Sequence, residues 1–472
     1  MIWNFEKYRE NIALKDEYGT TVSYEELSKQ AKNMRQVIGQ RCLVFCLCTN
    51  SIGSVSGYSS FVSEGMAPVL LNAHLEQGLL DNLVNTYQPA FIWSPTDQLD
   101  QYGNYGSECC FEKYGYSLLK TNFDKQFELH DELCLLLTTS GSTGSPKFVR
   151  QSYRNVISNA QSIVQYLKLN ETERPITTLP MNYTYGLSII NSHLMVGATL
   201  LLTDKGLMQK EFWKFFKEEG ATSFGGVPYT YEMLKKLRFF NMDLPSLRYM
   251  TQAGGKLIPK LHREFAEYAA QTNKKFVVMY GQCEATARMG YLPSEKSIEK
   301  CGSMGIAIPG GRFHLTDANG NEIDEPDMTG ELIYEGDNVT LGYAECGDDL
   351  KKGDERGGVL ETGDMAQFDA DGYYYIVGRK KRFLKIYGNR VNLDEIDRLI
   401  KAEFDGIDVA SAGIDDHMYI FVTDDKLSDK VKQFVALKTG LNSGAFHIVA
   451  IGSIPKNDSG KILYKELAKY YE

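Results

Sequence analysis

The segment 138–147 carries the residues of this chain that are best suited to chemistry. It reads Thr-Thr-Ser-Gly-Ser-Thr-Gly-Ser-Pro-Lys, with six hydroxyl side chains, two glycines and one lysine. Glycines let backbone N–H groups approach phosphate oxygens closely, and consecutive amides in a turn form an anion-binding concavity. The spacing differs from that of a Walker A loop, because Pro146 stands where the glycine before the lysine is needed. These residues favour a polyphosphate-binding loop, and the alternative is a flexible surface loop.

The elements beside this loop follow from hydrophobic periodicity. The apolar run Leu133–Leu137 predicts a buried strand before the loop. A helix is predicted after it, because one helical face would carry Val156, Ile157, Ala160, Ile163, Val164 and Leu167. Similar strand-like runs alternate with amphipathic helical patterns through the first 300 residues. We therefore expect an α/β fold with a mostly parallel or mixed sheet in this part of the chain.

Two further regions lack the alternation of strand and helix patterns seen in the first 300 residues. Residues 301–380 are rich in glycine and in short strand patterns such as Phe313–Thr316 and Glu331–Tyr334, which favours an antiparallel, β-rich part. After a charged stretch near residue 380, a helix is expected behind Asn392, followed by strands at Val409–Gly413 and Met418–Val422. The expected organisation is a large N-terminal domain, residues 1–380, and a small α+β C-terminal domain, residues 381–472.

Composition excludes several classes of protein. The 472 residues are 43% hydrophobic and 24% charged, which is too apolar for a disordered chain. The net charge of -10 disfavours nucleic acid as a partner. The apolar runs are too short to span a membrane, and no signal peptide is recognisable. The nine cysteines show no zinc-ligand spacing, so we expect reduced thiols and a cytoplasmic location. The oligomeric state does not follow from the sequence.

The loop resembles the phosphate loop of the adenylate-forming superfamily, which includes acyl- and aryl-CoA synthetases, peptide-synthetase adenylation domains and firefly luciferase. Further segments resemble motifs of this superfamily and occur in its order along nearly the whole chain. They are Ser23-Tyr24-Glu25-Glu26-Leu27, Gly225-Gly226-Val227-Pro228, Ala253-Gly254-Gly255, Tyr280-Gly281-Gln282-Cys283-Glu284-Ala285-Thr286, Glu361-Thr362-Gly363-Asp364, Gly378-Arg379, Lys385 to Arg390 and Pro455 to Lys461. Each motif is weak alone, and their shared order makes a chance match very unlikely.

The resemblance implies an enzyme that uses ATP, Mg²⁺ and coenzyme A. A small or medium carboxylic acid attacks the α-phosphorus of ATP, giving an acyl-adenylate and pyrophosphate, and a thiol then displaces AMP. The leading hypothesis is an AMP-forming acid–CoA ligase. A close alternative delivers the acyl group to the phosphopantetheine of an acyl carrier protein. A non-catalytic nucleotide-binding relative is a weaker alternative, because the expected charged residues are all present.

The resemblance also implies roles for single residues. Lys461 is expected to assist adenylation, and Glu284 to bind Mg²⁺ with help from Thr143, since magnesium prefers oxygen ligands. Asp364 is expected to accept hydrogen bonds from the ribose hydroxyls. The full set expected to bind ATP or AMP is Thr139, Ser140, Gly141, Ser142, Thr143, Gly144, Lys147, Gly254, Gly255, Tyr280, Gly281, Gln282, Asp364 and Arg379.

The acid and the thiol are expected at other positions. The acyl pocket should be lined by Tyr183, Gly186, Ser188, Asn191, His193, Gly225 and Val227. The thiol loop and the hinge of a mobile C-terminal domain are assigned to Lys381, Lys385, Gly388 and Arg390. Tyr183 replaces the usual histidine of its segment, and Cys283 replaces a threonine. No aspartate occurs in Met181–Ser188, which argues against an α-amino acid as the substrate.

Overall fold

The structure is a computed structural model. It describes residues 2–106, 108–124, 126–138, 147–380, 382–387, 389–404, 406–414, 416–457 and 461–471, of which 383, 385, 389, 390 and 392 are described by backbone alone. No helix in these ranges combines the length and the apolar character that crossing a membrane requires.

The first third of the chain alternates strands with helices. Its strands are β1 (Ile12–Asp16), β2 (Thr21–Ser23), β3 (Leu43–Cys48), β4 (Ala67–Asn72), β5 (Phe91–Pro95), β6 (Glu108–Lys113), β7 (Tyr116–Lys120), β8 (Leu133–Thr138) and β9 (Phe148–Ser152). Its helices are α1 (Tyr24–Ile38), α2 (Ile52–Ser63), α3 (Gln77–Tyr87) and α4 (Tyr153–Leu167).

The middle of the chain continues this alternation and then becomes β-rich. Its helices are α5 (Thr184–Met195), α6 (Lys210–Glu218), α7 (Pro228–Lys236) and α8 (Pro259–Gln271). Its strands are β10 (Leu200–Leu202), β11 (Ser223–Gly226), β12 (Tyr249–Gln252), β13 (Lys275–Tyr280), β14 (Gly290–Leu292), β15 (Ile306–Ala307), β16 (Gly311–Thr316), β17 (Gly330–Gly336), β18 (Gly342–Ala344), β19 (Val359–Phe368) and β20 (Tyr374–Arg379).

The last part of the chain has its own apolar core. Its elements are β21 (Phe383–Ile386), β22 (Asn389–Asn392), α9 (Leu393–Glu403), β23 (Val409–Ile414), β24 (His417–Val422), α10 (Ser428–Thr439), β25 (Phe446–Ala450) and α11 (Tyr464–Leu467). Ile396 and Ile400 of α9 pack against β23 and β24 in this core. The strand pair expected at 409–413 and 418–422 is confirmed, and it pairs antiparallel.

Two large mixed sheets position the residues of interest. One has the order β18-β9-β8-β4-β3-β5-β7-β6, with parallel strands at its centre and antiparallel strands at both edges. The other has the order β11-β12-β13-β14-β15 and is parallel as far as β13. An antiparallel sheet, β16-β17-β19-β20, forms the expected β-rich part. The predicted α/β class is therefore confirmed.

One local expectation was wrong. The sequence analysis placed a helix directly after the loop, but β9 comes first and pairs with both β8 and β18. The reason is burial on both faces, because Phe148 and Val149 are inaccessible to solvent and a buried run of this length suits a central strand. The predicted helix follows at Tyr153, where Ser152 caps its first turn.

A buried arginine on β9 fixes the neighbouring segment 341–355. The Arg150 side chain is fully buried, and it donates to the carbonyl oxygens of Tyr343 (2.9 Å), Leu341 (3.2 Å) and Gly353 (3.2 Å). It also forms an ion pair with Glu355 at 2.5 Å. A guanidinium can span such a set because its donors point in several fixed directions. Arg150 therefore holds the segment that carries Tyr343 against the large sheet.

Candidate active site

The phosphate loop itself falls largely outside the described residues. Predictions for Thr139, Ser140, Gly141, Ser142, Thr143 and Gly144 therefore stay predictions. Lys147, at the far end of the loop, is half-buried. Its Nζ lies 3.6 Å from the centroid of the Tyr343 ring and 3.5 Å from a carboxylate oxygen of Glu345. An aromatic face and a carboxylate thus hold this cation beside the loop.

Glu284 lies on a short turn between β13 and β14 and shares a neighbour with Lys147. The Tyr343 hydroxyl donates to Oε1 of Glu284 at 2.8 Å. Arg356 donates to the backbone carbonyl of Glu284 at 3.3 Å, and its guanidinium lies 4.8 Å from the Tyr343 ring centroid. Tyr343 therefore stands between one carboxylate and two cations. The sequence analysis missed both Tyr343 and Arg356, because neither belongs to a motif that it used.

The turn that presents Glu284 has a tightly constrained backbone. Thr286 and Ala287 both have positive φ values, 51° and 86°, which non-glycine residues rarely adopt. A Cβ atom at Gly281 would overlap the carbonyl oxygen of Ala287, so only glycine fits there. The turn is closed by a hydrogen bond from Met289 N to the carbonyl of Tyr280 at 2.9 Å. This geometry holds Glu284 at the tip of the turn.

Asp364 on β19 forms the centre of a polar cluster. Its Oδ2 accepts hydrogen bonds from the Tyr280 hydroxyl (2.5 Å) and from Gln282 Nε2 (3.0 Å). Its Oδ1 lies 3.3 Å from Nε of Arg379. Burial raises the pKa of Asp364 above its ordinary value, and Arg379 opposes that rise. The structure thus brings together four residues that were expected to bind the nucleotide.

The Tyr280 hydroxyl acts as a donor in this cluster. Burial and the nearby Asp364 carboxylate raise the pKa of Tyr280 well above its ordinary value, so the phenol keeps its proton. Besides any aromatic contact, Tyr280 therefore fixes the direction of the Asp364 carboxylate.

Gly254 and Gly255 follow β12, where the backbone passes close to other elements. Gly254 has a φ of 78°, and a Cβ there would lie 2.7 Å from the Tyr183 hydroxyl and 3.0 Å from Val227. A Cβ at Gly255 would lie 3.0 Å from Pro228. Gly254 therefore lies against two residues of the predicted acyl pocket, and glycine is needed there for its backbone conformation.

Lys461 reaches the polar cluster from the C-terminal part of the chain. Its backbone N–H donates to Oδ1 of Asn457 at 2.9 Å. Burial lowers the pKa of the Lys461 ammonium, while Glu284 and Asp364 act to raise it and Arg379 acts to lower it. The side chain is thus close enough to both carboxylates to interact with them. Lys461, Glu284 and Asp364, which are far apart in sequence, thus lie within range of one another's charges.

The predicted acyl residues divide into two groups. In the first, Tyr183, Val227 and Gly254 meet at one point, and Gly225 lets α5 approach β11. A Cβ at Gly225 would lie 2.9 Å from Ile189 and 3.0 Å from the Tyr185 hydroxyl. This group forms an aromatic and aliphatic wall beside the polar cluster.

The second group holds α5 in place through buried hydrogen bonds. Asn191 accepts from the Tyr58 hydroxyl at 2.8 Å. His193 Nδ1 lies 2.7 Å from the Ile189 carbonyl, and its Nε2 lies 2.8 Å from the Tyr249 hydroxyl. Because a carbonyl can only accept, Nδ1 carries the proton and Nε2 accepts from the tyrosine. Burial lowers the pKa of His193 to about 4, so the ring is neutral at pH 7.

Two more members of the acyl set have clear packing environments. A Cβ at Gly186 would overlap the Pro180 carbonyl, so this glycine allows a close approach at the start of α5. The Ser188 hydroxyl donates to the Tyr185 carbonyl at 2.7 Å and accepts from Nε of Arg288 at 3.1 Å. The sequence analysis missed Arg288, whose position four residues after Glu284 was its one available signal. The acyl-pocket roles of all seven residues stay predictions.

The predicted thiol loop is a β-hairpin. Lys381 and Gly388 lie outside the described residues. Lys385 and Arg390 are described by backbone alone, and they pair across the hairpin of β21 and β22. Their predicted contacts with a thiol substrate are therefore not tested.

Within the described residues, no group of three or more His, Cys, Asp and Glu side chains could hold a metal ion. Glu284 stands as a single carboxylate, and its Oε1 is oriented by Tyr343. Magnesium commonly takes one or two carboxylates and completes its coordination with phosphate oxygens and water. The residues present therefore fit a magnesium ion that a nucleotide brings with it.

Comparison with known proteins identifies the family. Residues 2–344 match the model of the AMP-binding enzyme family, which is more than half of the chain. The chain therefore belongs to the AMP-binding enzymes, and the resemblance inferred from its motifs is confirmed.

Similar proteins include CoA ligases of plants and bacteria. Oxalate–CoA ligase of Arabidopsis thaliana is 28% identical over 72% of this chain and 68% of its own length. Peroxisomal OPC-8:0-CoA ligase 1 of the same plant is 28% identical over 72% of this chain and 64% of its own length. The chain thus matches about two thirds of the length of these relatives.

A solved structure shares the fold along nearly the whole chain. It is o-succinylbenzoate coenzyme A synthetase of Bacillus subtilis in complex with ATP and a magnesium ion, with a TM-score of 0.77 and 21% identity. The match covers 98% of each chain.

Proposed function

We propose that this protein is an AMP-forming acid–CoA ligase. It activates a carboxylic acid with ATP and Mg²⁺, releases pyrophosphate, and transfers the acyl group to coenzyme A. The observation that carries the proposal is the polar cluster in which Tyr280, Gln282 and Arg379 surround Asp364. Lys461 lies within range of the charges of Asp364 and Glu284. Membership of the AMP-binding enzymes and the CoA ligase activity named for its relatives support it.

The polar cluster around Asp364 is suited to the ribose of ATP. A carboxylate can accept several hydrogen bonds, and here Tyr280 and Gln282 orient one oxygen. The other oxygen faces Arg379, which keeps a positive charge beside the nucleotide. In this proposal Asp364 accepts from the ribose hydroxyls, while Gly254 and Gly255 bring backbone close to the base.

The adenylation step brings two anions together, so cations must offset their repulsion. A carboxylate oxygen forms a bond to the α-phosphorus, and the bond from that phosphorus to the bridging oxygen of pyrophosphate breaks. Lys461 enters the cleft beside Glu284 and Asp364, where its ammonium can contact both the acid and the α-phosphate. Lys147 supplies a second cation near the loop. Magnesium, held by Glu284 and the phosphates, would neutralise charge on the leaving pyrophosphate.

Thiol transfer requires Lys461 to leave and the hairpin of Lys385 and Arg390 to approach. We propose domains at 1–380 and 381–472 with a hinge at Lys381. The residues on each side of this position have partners on opposite sides of the boundary. Lys380 donates to Glu331 at 2.5 Å, whereas Arg382 pairs with Asp394 (2.6 Å) and with Asp397 (3.1 Å). A backbone change at one position between two such anchors would rotate the small domain as a unit.

The state of the cysteines supports the cytoplasmic location that we propose. None of the nine cysteines forms a disulfide in the structure. Cysteines persist in that state in reducing compartments.

The test is pyrophosphate exchange into ATP over a panel of carboxylic acids. We expect exchange that depends on one class of acid and on Mg²⁺. Adding coenzyme A should then yield AMP and a thioester, and a carrier protein bearing phosphopantetheine should not replace it. If exchange occurs but coenzyme A yields no thioester, the acyl group would instead be transferred to the phosphopantetheine of a carrier protein. If no acid supports exchange, the proposal is wrong.

A further inference from the structure

Arg288 places a positive charge inside the protein beside the predicted acyl pocket. It follows the constrained turn of Thr286 and Ala287, and only 2% of its surface is exposed. Its side chain contacts Tyr166 of α4 and Ser188 of α5. Its guanidinium lies 5.2 Å from the centroid of the Tyr185 ring, and Tyr185 belongs to the aromatic wall described above.

The partners of this guanidinium are all uncharged. Nε donates to the Ser188 hydroxyl at 3.1 Å, and Nη1 donates to the Tyr166 hydroxyl at 2.9 Å and to the Met279 sulfur at 3.1 Å. Nη2 donates to no residue in the described part of the chain. No carboxylate among the described residues lies within ion-pair distance of it. By contrast the buried carboxylate of Glu173 is paired with Arg248 at 2.9 Å.

A buried cation without a counter-ion is costly. Transfer of a charge from water into a protein interior is strongly unfavourable unless the charge is paired and hydrogen-bonded. Hydroxyls and a sulfur satisfy some donors of Arg288, but they supply no negative charge. Arg150 shows how this chain handles a structural buried arginine, since it gives that one an ion pair with Glu355. Arg288 differs, because no carboxylate among the described residues pairs with it.

A second unsatisfied donor lies nearby. A small internal cavity, with room for about one water molecule, is lined by Ser188, Thr286, Asn159 and Gln151 among others. Gln151 is 1% exposed, and its Nε2 has no acceptor. Ser188 therefore contacts Arg288 on one side and shares this cavity with Gln151 on the other. Donors exceed acceptors here, which suits a group that carries several anionic oxygens.

We propose that Arg288 binds a second acidic group of the substrate, a carboxylate or a sulfonate. The protein would then activate one end of a short acid whose other end carries this group. The inference rests on the proposed function, because it concerns the acid that is adenylated. It explains the buried charge of Arg288 as half of an ion pair that the substrate completes. Short length follows from the close approach of α5 to β11 at Gly225 and from the small cavity.

The first part of the test compares acids as substrates of the wild-type protein. Dicarboxylic acids of two to six carbons and sulfonated carboxylic acids would be compared in pyrophosphate exchange with monoacids and diacid monoamides of equal length. We expect kcat/KM for the best acid with a second anion to exceed that of its monoamide by at least about 100-fold, since a site built for a charged group rejects analogues that lack it. Comparing carboxylate with sulfonate identifies which anion the site takes.

Variants decide the second arm. Arg288→Gln should lower kcat/KM for the preferred acid by about 100-fold and that for monoacids by less than about fivefold. Arg288→Lys should restore part of the selectivity. Arg154→Gln, at an exposed surface position, is the matched control and should change neither value. Thermal melting and ATP binding show whether each variant is folded, and the wild-type panel stands if one is not.

The outcomes separate this inference from the proposed function. Exchange that is equally efficient with monoacids and diacids would overturn the role of Arg288 and leave the ligase activity intact. Unchanged selectivity in a folded Arg288→Gln variant would also overturn it. No exchange with any acid would overturn the proposed function, and this assignment with it.

Discussion

Asp364 and Arg288 are both buried charged residues, but the chain surrounds them differently. Asp364 accepts from Tyr280 and Gln282 and lies 3.3 Å from Arg379, so its charge is balanced before a ligand arrives. Arg288 has hydroxyl and sulfur partners and no carboxylate among the described residues.

The difference matches the two ligands that we propose for these residues, ATP at Asp364 and the acid at Arg288. A site for an invariant ligand such as ATP can be organised fully in advance, and preorganised groups lose little energy to rearrangement when the reaction occurs. A site for a particular acid can leave one buried charge without a counter-ion. The correct substrate then supplies the opposite charge, and acids without that charge cannot. The predictions below test each side of this comparison.

The largest effect is expected on the nucleotide side, at Lys461. Lys461→Ala should lower the rate of pyrophosphate exchange by about 10² to 10³, which is typical for the loss of one preorganised electrostatic contact. ATP binding, measured by calorimetry, should remain largely intact because Asp364 and its partners are unchanged. Lys469→Ala, on an exposed residue of the same domain, is the control. Exchange at the wild-type rate in Lys461→Ala would mean that the lysine has no role in adenylation.

The next effect is on the pH dependence of the free energy of unfolding, through His193 in the predicted acyl pocket. The pKa of this ring is about 4 in the folded protein and about 6.5 when it is unfolded, so folding disfavours its protonation. Stability should therefore be complete above pH 6.5 and fall as the pH drops towards 4, by up to about 3 kcal/mol.

Chemical denaturation at several pH values measures this effect. His193→Gln should flatten the dependence of the free energy of unfolding on pH between 6.5 and 4. His74→Gln, at an exposed histidine, should leave it unchanged. An unaltered slope in the His193 variant would show that the imidazole is not held neutral by its surroundings.

A smaller effect is expected at Asp364. Asp364→Asn removes the charged acceptor, and hydrogen bonds to charged groups contribute about 1.5–3 kcal/mol. The Kd for ATP should rise by about 10- to 100-fold, while the acid selectivity should not change. Asp348→Asn, on an exposed carboxylate, serves as the control. A change in acid selectivity without weaker ATP binding would contradict the separation of the two sides.

The smallest effect is expected at Tyr343, which the sequence analysis missed. Tyr343→Phe keeps the ring beside Lys147 but removes the hydroxyl that orients Glu284. Loss of such a supporting group commonly weakens metal binding, here by about tenfold in the Mg²⁺ concentration needed for exchange. Tyr375→Phe, whose hydroxyl contacts Asp369, is the matched control. An equal Mg²⁺ requirement in both variants would remove Glu284 and Tyr343 from the metal site.

The sequence grouped the residues predicted to bind the nucleotide more completely than those predicted to bind the acid, for a physical reason. Tyr280, Gln282, Asp364 and Arg379 lie in short motifs with fixed spacing, and the structure brings them together. Such spacing reflects a ligand whose shape does not change. The alternation of strands and helices was also readable, because burial on one or both faces leaves a periodic pattern.

Other features could not be read from one sequence. The strand β9 was mistaken for the approach to a helix, because five residues buried on both faces show no alternation. Tyr343 and Arg288 act through contacts between distant segments, which no local pattern records. The contacts of Asn191 with Tyr58 and of His193 with Tyr249 were not readable either, and the predicted roles of both residues in the acyl pocket stay predictions.

Arg150 also limits how this chain can vary among descendants of a common ancestor. One planar side chain satisfies four carbonyls spread over 13 residues of backbone, from 341 to 353, and an ammonium could not reach them from a single nitrogen. Substitution of Arg150 by lysine should therefore be rare unless the backbone conformation of segment 341–355 changes as well. In related sequences, we therefore expect residue 150 and residues 341–355 to change together.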